Sequence, residues 1–183
     1  MMVLDIWRNA SPKRKRIYSV IVVFALSVII TLVGSLMPLD AEQARQISER
    51  LNQTLSTARE SEMLMQYIFG NNFFICLIMF IPIVGPIFGF FVLFSTGAAA
   101  SAVAAAQGFP SILALIALVI TPVFWLEYAA YSTAMAASVW LFRRILQGRG
   151  RNEFRNTCLF ITLCAVLLAA GAVVETALIT LAT

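Results

Sequence analysis

The sequence predicts an all-α, polytopic bundle of transmembrane helices, with about five spans and one further half-length or re-entrant segment. Of its 183 residues, 61% are hydrophobic and 12% are charged, whereas soluble domains are about 45–50% apolar and roughly 25% charged. A bilayer span needs about 20 mostly apolar residues. Apolar blocks of that length or more are Ile17–Met37, Tyr67–Ala106, Ser111–Phe142 and Asn156–Thr183. The second block is long enough for two spans.

The charged residues lie between these blocks and predict their orientation. Segments 1–16 and 143–155 each carry five Lys and Arg residues against one acid, whereas segment 38–66 carries three Arg and five acids. Basic segments beside spans stay in the cytoplasm. We therefore expect a multi-pass protein of the cell membrane, surrounded by lipid, with its N-terminus inside and its C-terminus outside. This placement explains the basic residues without a nucleic-acid partner.

The first expected elements are the basic cytoplasmic N-terminus, 1–16, and span 1, 17–37. The apolar run of span 1 exceeds the 7–15 residues typical of a cleaved signal peptide, so we expect an uncleaved span. Ser27, Thr31 and Ser35 follow one another at intervals of four residues. Such a stripe of small, weakly polar residues allows another helix to approach closely.

Segment 38–66 is the only sizeable polar stretch and is predicted to form an outer amphipathic helix. Its apolar residues recur every three or four positions: Ala44, Ile47, Leu51, Leu55 and Ala58. Asp40 and Glu42 stand at its start, where the helix dipole favours acids. The helix is expected to lie on the membrane surface, cap the bundle or pair with a partner helix.

The membrane core, 67–183, is predicted to contain spans 2 to 5. Pro82, Gly85 and Pro86 are expected to break the second apolar block, which gives span 2 at about 67–81 and span 3 at about 87–106. Span 2 is then short, so it is tilted, continues into the preceding helix or is partly re-entrant.

The third apolar block is too long for one span and is divided at Pro122. Thr121 suits a helix N-cap and proline suits the first helical position. We expect a half-helix at 111–120 and a full span at 122–142, and we leave open whether 111–121 crosses the membrane. A cytoplasmic basic loop, 143–155, and a last span from residue 156 follow.

Four polar side chains lie inside these apolar segments: Asn71, Asn72, Glu127 and Glu175. A charged residue at mid-membrane costs about 2.5–3.5 kcal/mol on insertion scales, and the spans contain no Lys, Arg or His. Each carboxyl group must therefore be protonated, hydrogen-bonded, hydrated or bound to an exogenous cation. Counting residues from the basic segments places all four in the outer half of the bilayer. We hypothesise one shared cluster, with exposure of Glu175 at the interface as the alternative.

The composition argues against most catalytic chemistry. Histidine is absent and the only aspartates are Asp5 and Asp40, so serine–histidine, zinc and intramembrane aspartyl chemistries lack their residues. The three cysteines, Cys76, Cys158 and Cys164, lie in apolar segments and are expected to be packing residues. We expect no catalytic residue, no metal site and no cofactor.

Short motifs resemble the stage II sporulation protein M family over roughly residues 65–183. That family has an Asn-containing span, a glycine-rich segment, a Pro-His-Gly-x-x-Glu-x-x-Ala motif and a late Glu in the last span. The matching residues here are Asn71-Asn72, then Pro122, Glu127 and Ala130 at the motif's spacing, and Ala169 to Glu175. The motif's His-Gly is Val123-Phe124 here, and the Asn-Gly of the glycine-rich segment is Thr96-Gly97.

Two functions follow as hypotheses. The resemblance implies a membrane protein that works with partner proteins, since the family is named for a role in spore engulfment and wall remodelling. Small-residue stripes and the outer helix also suit an accessory or scaffolding subunit, assembled with other membrane proteins or with copies of itself. The alternative is a small permease or ion-coupled transporter component, because interrupted helices with ionisable groups are typical of such sites. No inverted repeat is evident to support it.

Overall fold

The computed structural model describes residues 11–37 and 40–181, and this part of the chain consists of helices joined by short turns, as the all-α class predicts. The helices, in chain order, are α1 Pro12–Ser35, α2 Ala41–Glu60, α3 Leu64–Met79, α4 Val84–Ala106, α5 Ser111–Ile120, α6 Pro122–Leu146 and α7 Gly150–Leu181. The predictions for residues 1–10, 38–39 and 182–183 lie outside the described residues.

Three of these helices are long and apolar enough to cross a membrane: α1, α4 and the Glu153–Leu181 part of α7. Helices α5 and α6 pass the same test only as a pair, and they are bent by 81° at their junction. Helix α3 is apolar but has 16 residues. The membrane nature of the protein agrees with the sequence prediction, but length and composition identify three or four candidate spans where about five were expected.

Helices α1 and α2 begin where a side chain caps them. Ser11 accepts a hydrogen bond from the Arg14 backbone N–H, so α1 starts before the expected boundary at residue 17. Asp40 and Gln43 form a reciprocal capping box at α2. Helix α2 buries Ala44 and Ala58 and packs against α4, so its apolar side faces the bundle.

The connection between α3 and α4 differs from the sequence prediction. Gly85 and Pro86, expected at the break, instead lie in the first turn of α4. Proline is tolerated there because the first helical N–H groups have no intrahelical partner, and a Cβ at Gly85 would collide with the Met79 carbonyl. The chain reverses after Pro82 at Ile83, which has a φ of 69°, a left-handed conformation that is strained for a β-branched residue.

The expected basic loop at 143–155 is mostly helical. Helix α6 continues to Leu146 and α7 begins at Gly150, so only residues 147–149 connect them. Gly148 has a φ of 69° and makes the turn. The helices extend past the apolar block because exposed Arg side chains are good helix formers, and a change from apolar to charged residues does not end a helix.

Three helix ends meet at what we call the basic end of the bundle, where Arg16, Arg144 and Glu153 lie together. Arg16 forms a bidentate ion pair with Glu153, with N–O distances of 2.5 and 2.6 Å, and Arg144 lies 4.0 Å from the same carboxylate. Glu153 is only 4% exposed. Trp140 packs under the Arg16 guanidinium and donates a hydrogen bond to Ser19. The described parts of both basic segments therefore lie at the same end of the bundle.

Helices α1 and α4 approach closely through two glycines. A Cβ at Gly34 would collide with the backbone of Phe94, and one at Gly97 would collide with the backbone of Thr31. Thr31 uses this proximity to donate a hydrogen bond to the Leu93 carbonyl, at 3.2 Å. Small residues thus set the distance between the two helices, which is how helices associate where lipid removes the hydrophobic driving force.

Replacing Gly97 by valine should separate α1 from α4. We expect the free energy of unfolding in detergent to fall by about 1–3 kcal/mol, the usual cost of overpacking, because backbone atoms cannot yield to the new side chain. Ala105→Val is the matched control, since Ala105 is exposed on the same helix, and it should change stability little. Equal stability of both variants would contradict the close contact.

Candidate functional site

Helix α6 is the central helix of the bundle. It contacts α1, α3, α4, α5 and α7 and buries a continuous series of mostly small side chains, including Ala130, Ala134 and Met135, all at 0% exposure. Alanines allow its neighbours to approach closely, and Met135 fills the remaining space. A polar group on this buried side of α6 therefore faces other helices of the same chain.

Glu127 lies on α6 and is hydrogen-bonded to α3. The Asn72 side-chain amide donates to the Glu127 carboxyl at 2.5 Å. Both side chains are half-buried. The structure thus brings together two of the four polar residues that the sequence singled out. The two residues are 55 positions apart in sequence, and their contact joins α3 to α6.

Glu175 lies close to this pair on α7. A Cβ built at Gly171 would be 3.9 Å from the Glu127 side chain, and Glu175 follows Gly171 by one helical turn on the same face. Glu175 is half-buried. Two carboxyl groups therefore stand on facing helices about one turn apart, and Gly171 lies beside the first.

Asn71 occupies a different position from its neighbour. It is exposed, and its amide donates a long hydrogen bond of 3.4 Å to the Asn72 side-chain oxygen. The four residues together are called the polar cluster below. Within it, Glu127, Asn72 and Asn71 form a hydrogen-bonded chain that leads from the interior of the bundle to the outer surface of α3.

A second polar contact on α6 was not predicted from the sequence. The Tyr128 hydroxyl lies 2.6 Å from the Thr31 hydroxyl, where both residues are buried, so this contact joins α6 to α1. The sequence did indicate a helix-contact surface on α1, the stripe of Ser27, Thr31 and Ser35. It did not identify the residue of α6 that contacts this stripe. A third contact, from the Ser138 hydroxyl to the Ile81 carbonyl at 2.7 Å, holds the turn between α3 and α4.

The junction of α5 and α6 is held by side chains on both sides of the bend. Thr121 caps α6 by accepting a hydrogen bond from the Phe124 N–H, and its hydroxyl donates to the Leu118 carbonyl at 2.7 Å. The Trp125 indole donates to the Val119 carbonyl at 3.0 Å. Carbonyls at the end of α5 are thus satisfied although Pro122 interrupts the helix, as hydrocarbon surroundings require.

An apolar groove of about 560 Å³ lies between α4 and α5. Its lining residues are Ala100, Val103, Ala104, Gln107, Phe109, Leu113, Ala114, Ala117, Leu118 and Thr121. No member of the polar cluster lines it, and it contains no ionisable side chain. The groove and the polar cluster are therefore separate features of the bundle.

The described residues contain no group of three His, Cys, Asp or Glu side chains close enough to hold a metal ion. Among the cysteines, Cys76 and Cys164 are buried and Cys158 is exposed. Cys164 donates a hydrogen bond to the Ala130 carbonyl at 3.3 Å, which places it in the packing between α6 and α7.

Replacing Asn72 by alanine should leave the Glu127 carboxyl without its partner on α3. We expect the free energy of unfolding to fall by about 1–3 kcal/mol, the usual penalty for an unsatisfied buried polar group, measured by thermal or denaturant unfolding in detergent. Asn71→Ala is the control, because Asn71 is exposed and should contribute little within one chain. Comparable losses for the two variants would contradict a specific role of Asn72.

The features that define this bundle correspond to one protein family. The family model described as Stage II sporulation protein M matches residues 20–180. This range includes most of α1, all of α2 and the whole polar cluster, and it begins well before the resemblance noted from residue 65. No curated protein and no solved structure shows significant similarity to the chain. Since the match covers most of the sequence, the chain belongs to the stage II sporulation protein M family.

Proposed function

We propose that this protein is a non-enzymatic accessory or scaffolding subunit of a complex in the cell membrane. The observation that carries the proposal is how its intramembrane polar groups are used. Asn72 with Glu127 joins α3 to α6, and Thr31 with Tyr128 joins α1 to α6. Ser138 holds the α3–α4 turn. These groups hold helices together, which is the task of a structural subunit.

The main groove supports the same interpretation. A polar or charged substrate needs groups that can replace its hydration shell, and the groove between α4 and α5 offers mainly alanine and larger apolar side chains. Its chemistry suits lipid or the apolar side of another helix. The polar cluster, which has the chemistry for a substrate, does not line this groove.

The outer surface offers contacts for partner proteins. Apolar side chains on α4 are strongly exposed, including Ile87 at 69% and Phe91 at 66%, and face lipid or another transmembrane helix. Outside the apolar bundle, α2 presents exposed charges, with ion pairs from Arg45 to Glu42 and Glu49. A subunit with this surface can contact partners both within the membrane and above it.

We further propose five crossings, with the N-terminus in the cytoplasm and the C-terminus outside. The crossings are α1, α3, α4, the α5–α6 pair and α7. Four of these crossings, α1, α3, α4 and the α5–α6 pair, lie between the basic start of α1 and the α6–α7 turn. Because four is an even number, both basic segments lie on the same side of the membrane. Their meeting at the Arg16–Glu153 ion pair supports this arrangement, and the positive-inside rule makes that side cytoplasmic.

A permease or ion-coupled component is the second candidate, supported by one observation. Glu175 stands one turn from the Glu127 contact on a facing helix, and the α5–α6 helix pair beside it is broken. Paired carboxyl groups next to interrupted helices are the arrangement that carries protons or cations in transporters.

Glutamine and leucine at position 127 distinguish the two functions. Gln accepts the Asn72 hydrogen bond without a charge, so Glu127→Gln should retain stability and partner binding in a scaffold. Glu127→Leu has no acceptor and should lose about 1–3 kcal/mol of stability. The measurements are unfolding in detergent and the set of proteins recovered by affinity purification from membranes in mild detergent.

Ion flux provides the opposing measurement. The purified protein is reconstituted into liposomes that contain a pH-sensitive dye, and the wild type is compared with Glu127→Gln and Glu175→Gln. A scaffold predicts the same background leak for all three. Proton flux in the wild type that is abolished in a folded glutamine variant would overturn the scaffolding proposal in favour of the permease.

A further inference from the structure

Helix α3 exposes an unusual face for a helix in an apolar bundle. Tyr67, Gly70, Asn71 and Phe74 follow at intervals of three, one and three residues, so they share one side of the helix. Tyr67 is 42% exposed and Phe74 is 65% exposed. A Cβ at Gly70 would meet nothing within 4 Å. This surface, called the α3 face below, consists of a small residue and an amide between two aromatic rings.

The amide of Asn71 is incompletely used within one chain. Its side-chain nitrogen makes the 3.4 Å hydrogen bond to Asn72, and its side-chain oxygen accepts no hydrogen bond from the described residues. A polar group that faces hydrocarbon without a partner is costly. Asparagine beside glycine is also the combination through which transmembrane helices associate, since glycine permits close approach and the amide bonds across the contact.

The membrane limits which partner this face can meet. Every copy of one chain has the same orientation in the bilayer, so two α3 helices can pack only in parallel, about a two-fold axis along the membrane normal. Equal residues then meet at equal depth. Asparagine is suited to such a contact because its side chain has both a donor and an acceptor, whereas a glutamate or lysine would meet a like charge.

We propose that two copies of this chain pair through the α3 face, with Gly70 at the closest approach and Asn71 bonded to Asn71 of the second copy. The Tyr67 and Phe74 rings flank the contact. Because Asn71 is bonded to Asn72, and Asn72 to Glu127, the pairing connects the polar clusters of both copies into one hydrogen-bonded array. The pairing does not depend on whether the protein is a scaffold or a permease.

Gly70→Leu tests the contact without disturbing the fold. The space around Gly70 is open and leucine is the better helix former, so the single chain should unfold as the wild type does. We expect self-association in liposomes, measured by energy transfer between labelled copies at increasing dilution in lipid, to weaken at least about tenfold. Ala105→Leu, at an exposed small residue of α4, is the control and should associate like the wild type.

Asn71→Leu tests the amide. Losing one interhelical hydrogen bond in a membrane should raise the dissociation constant about tenfold, equivalent to about 1.4 kcal/mol. Cysteine crosslinking then locates the axis. With the exposed Cys158 replaced by serine and the buried Cys76 and Cys164 retained, oxidation should crosslink Asn71→Cys and leave Ile87→Cys uncrosslinked.

The outcomes divide clearly. Loss of association in Gly70→Leu and Asn71→Leu, with a crosslink at position 71, supports pairing of two copies. A wild type that stays monomeric at all lipid dilutions overturns it, as does undiminished association of Gly70→Leu. Crosslinking of position 71 to a different protein in native membranes, without crosslinked dimer, also overturns it and assigns the α3 face to that protein.

Discussion

The hydrogen bond between Asn72 and Glu127 is the constraint around which this bundle is arranged. A carboxyl group among apolar helices costs several kcal/mol unless a neighbouring group satisfies it, and here the neighbour lies on α3, a helix of only 16 residues. The bond fixes the rotation of α3 and the depth of its amides against α6. Gly171 on α7 lies beside the same side chain, where an added Cβ would be 3.9 Å away, so three helices meet at Glu127.

The acids and amides of this site could be predicted from the sequence because their side chains differ chemically from the apolar residues around them. Two acids and two amides in an apolar chain without intramembrane cations have few possible partners, and residue counting places them at similar depth. The Tyr128–Thr31 contact could not be found in this way. Tyrosine and threonine are common in apolar helices, so their pairing can be predicted only when the orientation of α6 about its own axis is known. One face of α6 packs against α1, and another packs against α3 and α7. Gly171 lies within the motif from Ala169 to Glu175, but its position beside Glu127 was not predicted.

The helix boundaries show a similar division. Breaks caused by local chemistry were predictable, such as Thr121-Pro122, where a cap and a proline coincide. The ends of α6 and α7 were not, because the predicted boundaries followed the change from apolar to basic residues, and Arg continues a helix as well as most residues do. At the α3–α4 turn, Gly85 was expected to help break the helix, but it lies inside α4. Its lack of a side chain makes room there for the Met79 carbonyl, and the positive φ falls on Ile83.

The two residues of the Arg16–Glu153 ion pair are synthesised at different times. The two residues are 137 positions apart, so during synthesis α1 enters the membrane long before its acidic partner has been made. Until Glu153 has been made, the Arg16 charge belongs to the basic start of α1 and has no contact with this acid. Once Glu153 arrives, that charge is neutralised inside the protein. The Arg16 charge can therefore be neutralised by Glu153 only after α1 to α6 have been synthesised.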